Sequence, residues 1–492
     1  MAPIDPYTSE KSTQRAPLSA EKSATEYADE RSFKTKLIPL DFIAEDLRRQ
    51  LAVSINNDTI NDCGKAVLSI ITSRPDEVVS LANTKLHARP YKDVATSWRR
   101  AYEEATLWKL VHVLEGTVSD ITPRGKKRAR NGEPLQDQIA SNSHKTASDG
   151  QQPKDWLTQI VEILDRALIM TGAPGRKEVI ETLLENLSHY VSVLDPADTS
   201  LPPRFPSNPN PLKVNDSISR VDNLTLEAFQ QHLDANASPL IIRNAISSWP
   251  ALEKWNNPQY LLSKTINGRR LVPVELGKSY TSPLWSQTIM PFSTYLRSHL
   301  LNPSTTTGYL AQHDLLSQVS LLSNDTVTPD YCFSAPPAPD LASGIEQQEE
   351  LQEPLRNAWL GPAGTISPLH TDPYHNILCQ VVGRKYVRLY APAETKRLYP
   401  RGVDERGVSL ENTSEVDLEI WRGFEQTADF DDKEDEVLER KKMDFEEKFP
   451  LFKEAKFVEA VLEAGECFYI PVGWWHYIES LDVSFNVSYW FN

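Results

Sequence analysis

Cysteine is scarce in this chain. Four residues, Cys63, Cys332, Cys379 and Cys467, are scattered over 492 positions with no Cys-x-x-Cys pair. That spacing excludes a zinc knuckle or a disulfide framework and fits a reducing compartment. Long apolar runs are missing too: no window approaches the uninterrupted stretch of about 18 residues that a membrane span requires. A basic excess is also absent, since the formal net charge is -16, which argues against a general nucleic-acid binder. The opening stretch is polar and carries no apolar segment of the secretory kind, so residues 1–35 are expected to form a disordered tail. No repeat of fixed period is found, which sets aside helical repeat arrays.

The length leaves room for two or more domains. Residues 36–200 read as an all-α domain. Phe42, Ile43, Leu47 and Leu51 recur at helical spacing, as do Trp108, Leu110, Val111 and Leu114, with Pro75 and Pro90 punctuating between them. Helices are expected again over 156–170 and 178–194, the second with Ile180, Leu183, Leu184, Leu187, Val191 and Leu194 on one stripe. Residues 122–154 break the pattern and read as a disordered basic loop. Its cluster Lys126, Lys127, Arg128 and Arg130 is either a nuclear import signal or a solvated linker. Residues 201–215, rich in proline, asparagine and serine, make a linker. Beyond it short strands take over, at 240–243 and 271–276, with a helix at 291–300, so periodicity alone gives a mixed β domain over 216–492. Residues 425–447 hold eleven acidic and four basic residues, nearly half of the net charge.

The richest stretch is TISPLHTDPYHNILCQVVGRKYVRLY, residues 365–390. In an extended strand alternate side chains share a face, so His370 and Asp372 converge on one side. A third ligand is available far downstream in His476, within GECFYIPVGWWHYIES. Two histidines and one carboxylate on one face of an octahedral ion leave positions open for a chelating cosubstrate and dioxygen, which suits non-haem Fe(II) chemistry. After the turn at Gly383 and Arg384, Lys385 shares a face with Val387 and Leu389. An ammonium on an apolar face is costly unless an anion meets it. A dicarboxylate such as 2-oxoglutarate would supply that anion; a lysine snorkelling from an edge strand is the alternative.

These motifs resemble the jumonji-C (JmjC) family of Fe(II)- and 2-oxoglutarate-dependent oxygenases. The likeness also takes in PLIIRNAISSWPALEKW (239–255), RLVPVELGKSYTSPLWSQTIM (270–290), GYLAQHDLLSQV (308–319) and NAWLGPAGTISPLH (357–370). It implies an α+β chain whose C-terminal half is a double-stranded β-helix, a cupin-like jelly-roll barrel, behind the helical domain. It further implies that His370, Asp372 and His476 hold Fe(II) and that Tyr309, Ser367, Asn376 and Lys385 contact 2-oxoglutarate. Asn486 is expected to line the barrel near them. Glu275 and Trp359 match positions around a substrate side chain, a carboxylate for a guanidinium and an aromatic face to stack on it. His375 and His313 fall at no triad position and are expected to be structural or solvent-facing. A charged insertion at about 418–445 is expected to project from the barrel edge, and a proline-rich stretch from Val327 to Pro354 separates Tyr309 from Trp359.

The implied reaction couples oxidative decarboxylation of 2-oxoglutarate by O2 to hydroxylation of a protein side chain, with arginine favoured. N-methyl-lysine demethylation, as of a histone, is the alternative within the family. A catalytically silent interaction module and a cupin that uses no 2-oxoglutarate are the other readings. A protein or peptide substrate is expected, histone or other nuclear or ribosomal protein, with no nucleic acid or membrane and with a nuclear or cytoplasmic location.

Overall fold

The computed structural model describes residues 40–89, 93–121, 156–194, 200–208, 212–235, 237–282, 284–302, 306–339, 345–403, 409–427 and 436–492. The expected tail, the 122–154 loop with its basic cluster, and Pro90 lie outside them. Six α-helices fill the first part: α1 (Leu40–Ala52), α2 (Lys65–Ile70), α3 (Pro75–His87), α4 (Thr96–Ile121), α5 (Trp156–Thr171) and α6 (Lys177–Leu194). Pro75 opens α3, where its missing N–H leaves no bond unmade. The stripe expected on α1 is buried at Ile43, Leu47 and Leu51, whereas Phe42 is exposed beside it. Those residues share a core with Leu110, Val111 and Leu114 of α4 and with Ile180, Leu184 and Leu187 of α6. The Arg176 guanidinium closes the far end of α1 by donating to the carbonyls of Gln50 and Val53, at 3.0 and 2.8 Å.

Thirteen strands follow among the described residues: β1 (Arg220–Asp222), β2 (Leu240–Arg243), β3 (Leu271–Leu276), β4 (Ser286–Pro291), β5 (Gly308–His313), β6 (Leu355–Gly361), β7 (Ile366–His370), β8 (His375–Val382), β9 (Lys385–Tyr390), β10 (Phe457–Leu462), β11 (Cys467–Ile470), β12 (Trp475–Ser480) and β13 (Ser484–Phe491). They form a nine-stranded sheet, in the order β1-β2-β11-β8-β13-β6-β5-β3-β4, and a four-stranded sheet, β10-β9-β12-β7. From β6 to β9 the chain alternates between the two sheets, and from β10 to β13 it does so again. The last eight strands therefore wind as a double-stranded β-helix, with the larger sheet extended at both edges by β1 to β5. Gly383, at φ +69°, makes the turn from β8 to β9; a Cβ there would lie 2.2 Å from the Val483 carbonyl oxygen.

The charged insertion differs from expectation. Its two helices, Leu418–Thr427 and Glu436–Lys448, do not project but lie on the outer face of the smaller sheet. Phe424, Phe445, Phe449 and Phe452 bury themselves there with Tyr386, Tyr390, Trp475 and Tyr477. The period of two explains the need for cover: Tyr386 and Tyr390 point away from Lys385, Val387 and Leu389, so both faces of β9 are rich in bulky groups. Arg388 pairs with Glu425 at 2.8 Å, and Arg422 lies over the Tyr386 ring at 3.7 Å while pairing with Glu479.

Candidate active site

His370 is the last residue of β7, Asp372 follows two positions later, and His476 stands in β12 directly across from His370 in the antiparallel register. Strand pairing thus closes a separation of more than a hundred positions. The three side chains each offer a ligand atom, all within 4.8 Å of one another. Nε2 of His370 lies 3.7 Å, and Nε2 of His476 3.6 Å, from the Asp372 carboxylate. Each imidazole directs Nδ1 at a backbone carbonyl, His370 at Pro368 (2.7 Å) and His476 at Trp474 (3.0 Å). A hydrogen on Nδ1 satisfies those carbonyls and leaves both Nε2 lone pairs aimed at the centre of the cluster, the tautomer a metal ligand needs. Burial, assisted by His370 and opposed by Asp372, pushes His476 down to about 4, so it is neutral and able to ligate. His476 is buried, whereas His370 and Asp372 remain partly accessible, so the cluster is open on one side.

Deeper along the same wall sits Lys385. Its rung on β9 is four residues from Leu389, the residue opposite His476, so the two are about 13 Å apart along the sheet. A lysine side chain and a five-carbon dicarboxylate together span that gap. Lys385 is buried, and among the described residues no carboxylate meets it; burial pushes its ammonium down to about 7. Its Nζ donates to the Tyr309 hydroxyl at 3.1 Å, and Ser367 hydrogen-bonds to the same phenol. Asn376 turns its amide nitrogen toward Asp372, at 3.5 Å, and its buried Oδ1 has no partner among the described residues. Asn486 is fully buried on β13, and neither end of its amide finds a partner among them. A buried cation lacking a counter-ion, two hydroxyls and unpaired amides make a cradle for an acceptor-rich anion. The residues present therefore fit both a metal ion and a 2-oxoglutarate molecule.

Glu275, on β3, pairs across the sheet with Tyr309 and is half-buried. Burial raises its pKa, against hydrogen bonds from Trp285, whose Nε1 lies at 3.1 Å, and from Gln287. Trp359 donates its indole N–H to Ser488 at 2.8 Å and sets its ring 6.0 Å from that of Tyr309. Two aromatic residues near the mouth went without a role in the sequence reading. Tyr280 sits edge-on to His370, 6.5 Å between ring centres, with its phenol pushed up to about 12 by burial, and Trp285 holds Glu275. Both lie in the KSYTSPLW loop after β3, where aromatics in a polar turn were the available signal. His375 is buried against Tyr469, whose hydroxyl is 2.8 Å from Nδ1, and His313 meets Gln318 at 2.6 Å.

A profile described as a cupin-like domain matches residues 226–492. Lysine-specific demethylase 8 of Xenopus tropicalis is 31% identical over 443 residues, covering 83% of this chain and 86% of that protein. Lysine-specific demethylase JMJ30 of Arabidopsis thaliana is 31% identical over 433 residues, covering 87% and 88%. Jumonji C domain-containing protein 5 of Drosophila melanogaster is 36% identical over 284 residues, 56% of this chain and 60% of that one. Barrel winding and likeness over most of the length agree: the chain belongs to the JmjC proteins of the cupin-like class, the 2-oxoglutarate-dependent oxygenases.

Proposed function

We propose that this chain hydroxylates a cationic side chain of a protein substrate, arginine first, using Fe(II) and 2-oxoglutarate. The observation that carries the reading is Lys385, a buried ammonium with no counter-ion among the described residues, on the inner wall that also bears His476. His370, Asp372 and His476 would hold the metal, and Lys385, Tyr309, Ser367, Asn376 and Asn486 the dicarboxylate. Bound together, iron and 2-oxoglutarate would supply dioxygen activation coupled to decarboxylation, with succinate and carbon dioxide as products. The chain's own work is placement. Lys385 keeps its proton on Nζ once a carboxylate arrives, Tyr309 and Ser367 hold that carboxylate in line, and Val387, Leu389 and Ile478 keep the wall dry. Glu275, oriented by Trp285, offers a carboxylate edge to a guanidinium, and Trp359 an aromatic face beside it.

A second reading has its own support, because two relatives similar over most of this chain are named lysine-specific demethylases. Hydroxylation of an N-methyl group gives a hemiaminal that loses formaldehyde, and Glu275 would then face a methylammonium. Histones and other nuclear or ribosomal proteins are the substrates we favour, in nucleus or cytoplasm. The test is succinate formation with Fe(II) and ascorbate on arginine-bearing and methyl-lysine-bearing peptides, followed by mass spectrometry. One added oxygen on arginine, lost in His370→Ala, supports hydroxylation; formaldehyde release moves the activity to demethylation. Lys385→Met is expected to weaken 2-oxoglutarate about 10–100-fold, the loss of one charge-assisted contact. Unchanged affinity in that variant would remove Lys385 as the anchor, and no turnover with iron bound would return the chain to the silent-module reading.

A further inference from the structure

A buried carboxylate of the helical part reaches into the barrel half. Asp165, on α5, is fully buried and accepts hydrogen bonds from Arg270 Nε (2.9 Å) and Nη2 (2.7 Å), the Leu271 amide (2.7 Å) and Gln318 Nε2 (2.9 Å). Gln318 carries the connection on. Its Nε2 also donates to the Leu271 carbonyl (2.8 Å), its backbone carbonyl accepts from Arg270 (2.6 Å), and its Oε1 lies 2.6 Å from Nε2 of His313. One carboxylate therefore grips the first residue of β3 directly and the last residue of β5 through Gln318.

Those two strands need an outside hold. They lie beyond the eight strands of the barrel, and β3 joins β5 through only two register pairs, Glu275 with Tyr309 and Leu276 with Gly308. β5 in turn meets β6 across a register shift between Leu310 and His313, where Gln312 adopts φ 45°, a left-handed conformation costly for a residue with a side chain. The ladder thus joins β3 to β5 only at the end near the site and leaves the Leu271 end of β3 outside it. The pair's gripped end is Leu271 and His313; its other end presents Glu275 and Tyr309 to the site.

We infer that Asp165 is a positioning residue, which sets the β3 and β5 strands, and with them Tyr309 and Glu275, against the His370, Asp372 and His476 cluster. The inference rests on the proposed roles of Tyr309 and Glu275. It gives the helical half a part in the reaction: the active site is completed by a residue more than a hundred positions before the strand it grips.

The test uses the full-length chain with Asp165→Asn, which keeps the side-chain shape and removes the charge facing Arg270. Mn(II) stands in for iron, and calorimetry gives the Kd of Mn(II) and then of 2-oxoglutarate on the Mn(II)-loaded protein. Mn(II) affinity is expected to stay within about twofold, because its ligands sit on β7, just after it and on β12, away from β3 and β5, while 2-oxoglutarate weakens about tenfold. Amide exchange is expected to quicken at residues 274–276 and 308–310 while β8 and β12 stay protected. Thr158→Ala, which removes only the 3.2 Å bond to Arg269 at the same junction, is expected to leave both readouts unchanged. A lower melting temperature with exchange raised evenly and unchanged 2-oxoglutarate affinity overturns the inference. Should Asp165→Asn fail to fold, Gln318→Met leaves the Asp165–Arg270 pair in place and cuts the link to His313 together with the side-chain bonds to Asp165 and the Leu271 carbonyl, and unchanged 2-oxoglutarate affinity there overturns it as well. Failure of the parent chain to bind 2-oxoglutarate overturns the functional reading itself, whereas a parent that binds and a variant that binds equally overturns the clamp only.

Discussion

Lys385 shows how much one side chain can report. Alternation along β9 puts it on the apolar wall with Val387 and Leu389, and that much follows from the order of residues. Burial then pushes its ammonium down to about 7. The sign of the consequence is fixed. In the ligand-free protein the group is largely neutral at pH 8 and largely charged at pH 6; a bound carboxylate holds the proton and raises the pKa. Binding of 2-oxoglutarate to the metal-loaded protein should therefore take up nearly one proton at pH 8 and almost none at pH 6. Calorimetry in buffers of different ionisation enthalpy measures this directly, and equal uptake at both pH values would show that Lys385 is not the anchor.

At the scale of elements, the helices at Leu418–Thr427 and Glu436–Lys448 carry the clearest lesson. Their glutamates and lysines suggest a free-standing appendage, yet Trp421, Phe424, Phe445 and Phe449 gather on the side that meets Tyr386, Tyr390 and Tyr477. Composition registers the wet side of such a helix more loudly than the dry one. Phe445→Ala should cost about 3–5 kcal/mol by leaving a cavity under the helix. A projecting segment would tolerate it within about 0.5 kcal/mol. Urea denaturation with an unchanged m-value separates the two.

At the scale of the whole molecule, the helical part and the barrel share buried surface. Ile266 of the barrel half lies in the helical core, and Arg270 finds its carboxylate on α5. Removing residues 1–199 takes the Asp165 carboxylate from that guanidinium, leaving it the Gln318 carbonyl, and uncovers the apolar surface around Ile266. Against an ordinary domain stability of about 5–15 kcal/mol the loss of such a junction is large. The barrel expressed alone should melt about 10 °C or more below the full chain, or aggregate, as read by thermal denaturation and soluble yield. A barrel that melts with the full chain would mean the junction contributes little.

Local order determined what is repetitive or adjacent: helix stripes from a period of 3.6, the inward face of β9 from a period of two, and the His370 and Asp372 pair from their two-residue spacing. The order of residues also carried the family likeness, and with it the barrel. Only the tertiary structure decided what depends on groups remote in sequence. Strand pairing set His476 opposite His370, burial put Lys385 where no carboxylate among the described residues faces it, and packing laid the charged insertion against the smaller sheet. The same holds for Asp165, an unremarkable acid within a helix stripe until the fold buries it against Arg270. Side-chain periodicity is a property of neighbours, whereas burial and charge pairing are properties of whatever the chain brings alongside, and no single stretch records that.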